Sequence, residues 1–489
     1  MRTLTKIGGD LLVWCGVYIA VLLIIGWLGR RAKKADTLSD HFLAGRGIGL
    51  FVLLFTLFAT QYSGNSLSGF PGQTYRDGLS YFMSVTFMIG IVAGYTLFVP
   101  RLFRLSRMRN FLTPNDFLND RFGSRTLHLL AVVIFIVAMG NYMLAQLMAM
   151  GHAFSGLTDG RIPYWVGVVG GAAVILIYEV LGGMRAVAWT DALQGAILGL
   201  GLVLIVVLLI AEVGSPATII ASVREVAPAK VANPGWSICF VWLSNFLLLG
   251  LGGPLYPQAI QRIYAARRVR ELRRALATMA FLPLIAVTSV VFIGVAGIAL
   301  FPDLGRIASD KITFKVLAHL VAQNPLAYYP ALIVMMAVVA AIMSTADSCL
   351  LSLASIFTKD VAARIKGLDT HQSERFTGQA PIFSIGIMIV LVLLALNPLT
   401  TLWGLLVIKF EILIQLSPAF VLGTLHERTD PRAFSARDIL TGLIAGLCVA
   451  ITLYSTGHKM VGGLHAGTIG VTVNYLLVAG SRWVRLRRM

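Results

Sequence analysis

The chain has 489 residues, 57% of them hydrophobic and only 13% charged, and its 40 Lys and Arg against 22 Asp and Glu give a net charge of +18. Soluble proteins carry about 25% charged residues, so this composition, with a mean hydropathy of +0.82, excludes a soluble protein. Stretches such as 200–210 are continuously apolar and do not alternate as the strands of a membrane barrel would.

The pattern predicts an all-α polytopic membrane protein, because runs of about 20 apolar residues, enough to cross a ~30 Å hydrocarbon core, recur along the chain. Thirteen transmembrane segments are expected, at 11–29, 49–72, 80–99, 127–151, 163–181, 186–211, 237–259, 274–300, 328–357, 381–396, 400–424, 437–455 and 462–480. The first is followed by Arg30, Arg31, Lys33 and Lys34 without a small-residue cleavage site, so it reads as a retained span. With the N-terminus outside, the inside segments hold 29 Lys and Arg and the outside segments 10, while Lys409 lies within a span. That bias predicts a plasma-membrane protein with an external N-terminus and a cytoplasmic C-terminus. Positive charge spread over seven segments is no nucleic-acid patch.

No loop is long enough for a soluble domain, so residues 1–489 read as one membrane domain. Residues 101–109 lead into Thr113 and Pro114, which suit the cap and first turn of a short interfacial helix, and 217–231 read similarly. Cys15, Cys239, Cys349 and Cys448 stand singly in apolar runs and look like packing residues. Enzyme signatures such as HExxH, GxxxxGK[ST] and CxxC are missing from the sequence. A transporter is expected, not an enzyme.

Two segments are too polar and too rich in Gly and Pro to be plain helix. The second contains Gln61-Tyr62-Ser63-Gly64-Asn65-Ser66 and ends in Pro71-Gly72, and the seventh contains Gly250-Leu251-Gly252-Gly253-Pro254 followed by Pro257 and Gln258. Freed backbone groups at membrane depth are tolerated only against protein or a polar cavity. Paired interrupted helices are the pointer to a secondary-transporter site between inverted repeats. The repeats would occupy 49–211 and 237–424, with an extra helix and loop in 1–48 and extra helices and a basic tail in 437–489.

In the ninth segment Ala341, Ser344, Thr345 and Ser348 share one helix face. Its carbonyl and hydroxyl oxygens, joined by carbonyls of Ala59 and Tyr62 if the second segment unwinds there, suit a hard alkali cation such as Na⁺. The same hydroxyls also suit back-bonding to carbonyls one turn earlier.

The run Tyr178-Glu179-Val180-Leu181-Gly182-Gly183-Met184-Arg185-Ala186-Val187-Ala188-Trp189-Thr190-Asp191-Ala192-Leu193-Gln194 resembles the signature of the sodium:solute symporter family. The stretch Pro257-Gln258-Ala259-Ile260-Gln261-Arg262, the Ser344-Thr345 region and the break in the second segment are similar to it in the same order. The resemblance implies a LeuT-type fold with a 5+5 inverted repeat and sodium-coupled uptake. It implies a main Na⁺ site at the carbonyls of Ala59, Tyr62 and Ala341 and the hydroxyls of Ser344 and Thr345. Asp191, Asp347 and Ser348 would serve a second cation or the coupling. Asp191 also suits a helix N-terminal cap, and Asp347 a structural pair.

By the same resemblance a small-molecule substrate lies between the broken helices and the fourth segment, among Gln61, Ser63, Asn65, Ser66, Gln146, Asn245 and Gln258. Proline transporters of the family carry an acid where this chain has Gln61, which argues against proline. Lys409 and Glu411 are unusual for a membrane helix, and at i, i+2 they do not face each other. Glu411 could reach Gln415, while Lys409 could neutralise an anion or pair with an outer helix. The stretch through Gln415, Ser417 and Pro418 resembles members that move monocarboxylates, so an organic acid is the first expectation, with an amino acid, a pantothenate-type solute or proton coupling as alternatives. Nothing in the pattern specifies an oligomer.

Overall fold

The computed structural model describes residues 2–67, 69–158, 160–368, 370–397, 402–427 and 429–488, and these are helical almost throughout. Nine helices among the described residues are long and apolar enough to cross a membrane. The strands among them form one two-residue hairpin, Met460–Val461 with Leu464–His465, which joins the last two long helices.

Both predicted breaks are present. The second segment is helical over Leu50–Gln61, extended at Tyr62 (φ −102°, ψ 92°), and helical again over Gly64–Leu67 and Gly69–Asp77. A side chain at Gly64 would overlap Ile342 of the ninth segment, so this glycine lets the broken helix sit against its neighbour. The seventh segment is helical over Ser237–Gly252, passes through a tight turn at Gly253–Leu255, and resumes at Pro257–Ala265. Pro257 has no N–H to satisfy, which fits it to open a helix.

The ninth segment, Tyr328–Ser355, is the centre of the bundle, with every residue from Ala337 to Ile356 buried. The fifth and sixth segments are two helices within Tyr164–Glu212 that meet at a sharp kink, where Gly183 is non-helical (φ 54°, ψ −146°), in place of the expected loop. That conformation favours glycine, and the Gly182-Gly183 pair supplies it. Arg185 is therefore not in a loop: it packs beside the kink and forms two 2.6 Å hydrogen bonds with Asp40.

The helix Pro114–Phe122 begins as expected, with the Asp116 carboxylate accepting from the N–H groups of Leu112 and Thr113 at 2.6 and 2.9 Å. It does not lie free at an interface, since Asn115, Phe117 and Leu118 are buried and Arg121 donates to the Gly423 carbonyl at 2.8 Å. The second short helix runs over Pro216–Val226, with Ile219 and Val223 turned inward. Of the cysteines only Cys15 and Cys349 are packing residues, because Cys239 and Cys448 face outward.

Candidate functional site

The centre of the bundle joins the break in the second segment to the ninth. The Ser344 hydroxyl lies 3.2 Å from both the Ala59 and the Ala341 carbonyls, and the Thr345 hydroxyl lies 3.1 Å from the Ala341 carbonyl. Both side chains are fully buried. Tyr62, whose extended backbone ends the helix, follows three residues after Ala59. Four of the five oxygens expected to hold a cation thus share one contact network, and the fifth stands at the break. The back-bonding reading is also met, because Thr345 and Ser348 each reach a carbonyl one turn earlier. The two readings are compatible, since a hydroxyl that donates one bond keeps lone pairs to offer. Among the described residues no group of three or more His, Cys, Asp or Glu could hold a metal, so the neutral oxygens fit a singly charged hard cation.

Next to this cluster lies a charged network that the sequence reading missed. Arg262, counted there as the first basic residue of a loop, is fully buried. Its Nη2 donates to Asp191 Oδ2 at 2.6 Å and to the Ser348 hydroxyl at 2.5 Å, its Nε donates to the Thr56 hydroxyl at 2.6 Å, and its Nη1 donates to the Gln258 carbonyl at 3.0 Å. Thr56 also donates to Asp191 at 2.5 Å. Asp191 is therefore not a helix cap but half of a buried ion pair between the sixth and seventh segments. Two of the three groups expected around a second cation, Asp191 and Ser348, are engaged by a guanidinium. The third, Asp347, accepts from the Tyr178 hydroxyl at 2.6 Å and from Ser348 at 3.1 Å.

A cavity of about 30 Å³ opens between the two breaks, lined by Gln61, Ser63 and Ser66 on one side and by Tyr142, Tyr256 and Phe410 on the other. It has room for little more than two water molecules, so the site is closed around itself. Gln146 is not in the lining, because its Oε1 accepts from the Gly64 N–H at 3.3 Å and holds the break in place. Asn245 donates to its own Val241 carbonyl at 2.9 Å and does not reach the cavity. Gln258 is fully buried beside the lining residue Ala259, and neither of its amide atoms has a hydrogen-bond partner among the described residues. The side chain of Asn65 lies outside the described residues.

Among the described residues Lys409 makes no ion pair with an outer helix. Its ammonium is fully buried, without a hydrogen-bond partner among the described residues, 2.8 Å from the centre of the Tyr142 ring. Glu411 turns instead to the last long helix, accepting from the Gly467 N–H and lying 3.2 Å from His465 Nδ1. Gln415 meets only the Glu411 backbone carbonyl, at 3.3 Å, and donates to the Gly467 carbonyl at 2.9 Å.

Both ends of the bundle are fastened. At one, Arg76 meets Asp310 at 2.8 Å and Ser309 at 2.6 Å. At the other, the chain at Ile48 pairs with Ala266, and the Arg107 guanidinium donates to the carbonyls of Ala266, Arg267 and Arg46.

Comparison with known proteins agrees with this arrangement. The chain is 28% identical over 398 residues to the osmoregulated proline transporter OpuE of Bacillus subtilis (strain 168), covering 80% of this chain and 79% of that protein. It is 25% identical over 461 residues to the high-affinity proline transporter PutP of the same organism, covering 92% and 94%. It is 26% identical over 402 residues to a sodium/proline symporter of Staphylococcus aureus (strain JH9), covering 80% and 76%. In fold it is similar to a Na⁺-coupled sialic acid symporter solved in a substrate-bound outward-open state, with TM-score 0.77, 19% identity and coverage of 98% of this chain and 97% of that one. It is also similar to Mhp1, a nucleobase-cation-symport-1 family transporter in a closed conformation, with TM-score 0.56, 15% identity and coverage of 91% and 94%. The sodium:solute symporter family matches residues 41–446. The chain belongs to the sodium:solute symporter family, and Na⁺ is the ion that membership brings to it.

Proposed function

We propose that the protein imports a small amino acid together with Na⁺ by alternating access, with proline the first solute to try. The observation that carries the coupling is the Ser344 hydroxyl, 3.2 Å from a carbonyl of the broken second segment and from one of the central ninth. A cation bound by Ala59, Tyr62, Ala341, Ser344 and Thr345 ties those two elements together. Its departure frees one to move against the other. This reading takes the thirteen segments as crossings, with an external N-terminus and inverted repeats at 49–211 and 237–424. The Arg76–Asp310 contact then fastens the outer end and Arg107 with Ala266 the inner. Opening must alternate between them.

An amino acid is preferred to an organic acid for two reasons. Three sequence relatives are proline transporters, and the monocarboxylate likeness around Gln415 involves a side chain bonded to the last long helix, away from the cavity. Gln61, Ser63 and Ser66 offer neutral donors and acceptors to a polar solute. One Na⁺ supplies enough energy: a charge crossing ~150 mV releases ~3.5 kcal/mol and a tenfold gradient adds ~1.4, which supports accumulation on the order of a thousandfold.

The test is uptake of labelled proline, other amino acids, monocarboxylates, pantothenate and sugars into proteoliposomes. A Na⁺ gradient, K⁺ in its place and a pH gradient would be compared. Na⁺-driven accumulation of an amino acid is expected, and Ser344→Ala with Thr345→Ala should raise half-saturating Na⁺ at least about tenfold, since hydrogen-bond-type contacts to a charge are worth ~1.5–3 kcal/mol each. Accumulation driven by protons and indifferent to Na⁺ would overturn the sodium site.

A further inference from the structure

Beside the proposed site lies a lysine that meets no carboxylate among the described residues. The Lys409 ammonium is fully buried and has no hydrogen-bond partner among the described residues. The carboxylates of the interior are engaged elsewhere: Asp191 with Arg262, Asp347 with Tyr178, and Glu411 with Gly467 and His465. What Lys409 has instead is aromatic surface, 2.8 Å from the Tyr142 ring centre, 4.8 Å from Tyr256 and 5.0 Å from Phe410. A ring face attracts a cation but does not replace the hydrogen bonds of its three donors. All three rings line the cavity, so the ammonium lies directly against the residues that wall the space in which a solute would bind.

Two further orphan groups lie at this wall, Gln61 in the lining and Gln258 next in sequence to the lining residue Ala259. Gln61 Oε1 is buried without a partner, and so are both amide atoms of Gln258. Buried polar groups are ordinarily satisfied, and a set left open around one cavity describes the complement of the missing ligand. Here that complement is one anionic acceptor for Lys409 and a donor for the amide oxygens. We propose that Lys409 is the anchor for the carboxylate of the transported solute, held on the Tyr142 face while the site is empty and drawn off it when a carboxylate enters. The proposal rests on the reading of this cavity as the substrate site and names what that reading leaves open.

The arrangement has consequences for selectivity. With Lys409 the one unpaired cation beside the cavity among the described residues, since Arg262 is committed to Asp191, the site takes a monoanionic group and disfavours dicarboxylates and phosphates. Because the amine-binding side is neutral, at Gln61, the carboxylate is the stronger handle and the amine the weaker one. The Tyr142 ring, on which the anchor rests, lines the cavity together with Ser63 of the break.

The test uses the full-length protein in lipid nanodiscs, with binding of lactate compared with neutral lactamide, and of proline with prolinamide, which keeps the charged amine and loses the carboxylate, in Na⁺ and in K⁺. Wild type is expected to prefer acid over amide by at least about thirtyfold, the range seen when one partner of a buried charge pair is lost. Lys409→Met should reduce that preference below about threefold, and Lys409→Arg should keep most of it. A wild-type protein that binds acid and amide alike overturns the anchor, as does a Lys409→Met variant whose preference is intact. Thermal unfolding of each variant separates lost recognition from lost fold. If acid is preferred equally in Na⁺ and K⁺, the anchor stands and the sodium reading fails. If binding needs Na⁺ but ignores the carboxylate, the reverse holds.

Discussion

Arg262 and Lys409 are both cations without exposed surface in one bundle, and they are buried in opposite ways. The guanidinium uses three of its nitrogens on a carboxylate, two hydroxyls and a carbonyl, all within 3.0 Å. The ammonium has three rings and no hydrogen bond among the described residues. Taking an ion out of water costs several kcal/mol, and only close pairing offsets it. A cation that is completely paired inside the fold belongs to the structure. One left unpaired in a membrane interior is a functional group by default, because evolution has no other use for so expensive a residue.

The comparison breaks most visibly at Arg262. Arg262→Met should destabilise the protein by about 3–5 kcal/mol, because it strands the Asp191 charge among buried residues. Thermal unfolding in detergent measures this, and Arg262→Met combined with Asp191→Leu should recover most of the loss. If the double variant is no better than the single one, the pair is not what holds the sixth and seventh segments together.

Lys409→Met is the converse. It removes an unneutralised charge and keeps an apolar stem of similar length, so unfolding temperature should stay level or rise while uptake of a carboxylate solute falls sharply. Melting at a temperature as low as that of Arg262→Met would erase the distinction between the two cations. Tyr142→Phe sharpens it further. The ring that supports the ammonium remains and only the hydroxyl is lost, so the acid-over-amide preference should be unchanged.

The same contrast explains what could be read from sequence. The two breaks were legible because Gly, Pro and polar residues in the middle of an apolar run have no innocent place in a membrane helix. The Ser344–Thr345 face was legible because helical spacing alone brings those oxygens together. Arg262 was not, since five more arginines follow it through Arg274 and a charge beside charges looks like a loop. What identifies it is a carboxylate 71 residues away, a contact no local pattern contains. Asn245 and Gln146 show the same limit: both are polar residues on helices, and only the fold shows that one donates to the Val241 carbonyl of its own helix and the other accepts from the break. The boundary at Gly183 was legible because a glycine pair between apolar runs ends one helix before the next begins, here as a sharp bend.

A third ion pair extends the comparison toward water, with the smallest expected effect. Asp40 lies on the short helix Leu38–Leu43, outside the membrane-spanning segments, and accepts from both terminal nitrogens of Arg185 at 2.6 Å and from the Lys34 N–H at 3.2 Å. Burial pushes its pKa up, but the guanidinium and the backbone N–H outweigh burial and hold it below the ordinary carboxylate value. A carboxylate whose folded pKa is depressed contributes stability that is fully present above its unfolded pKa, about 3.9, and is lost as pH falls through the lower folded value. From pH 5 to 8 the pair is therefore insensitive to protons. The stability difference between wild type and Asp40→Asn should be constant across that window and close only below about pH 4, as read by thermal unfolding over a pH series. A difference that already shrinks between pH 7 and 5 would mean that Asp40 is held nearly neutral, and that burial outweighs the two-point guanidinium contact even at the edge of the bundle. The pair at Arg262 would then owe its strength to Thr56 and Ser348 as much as to Asp191.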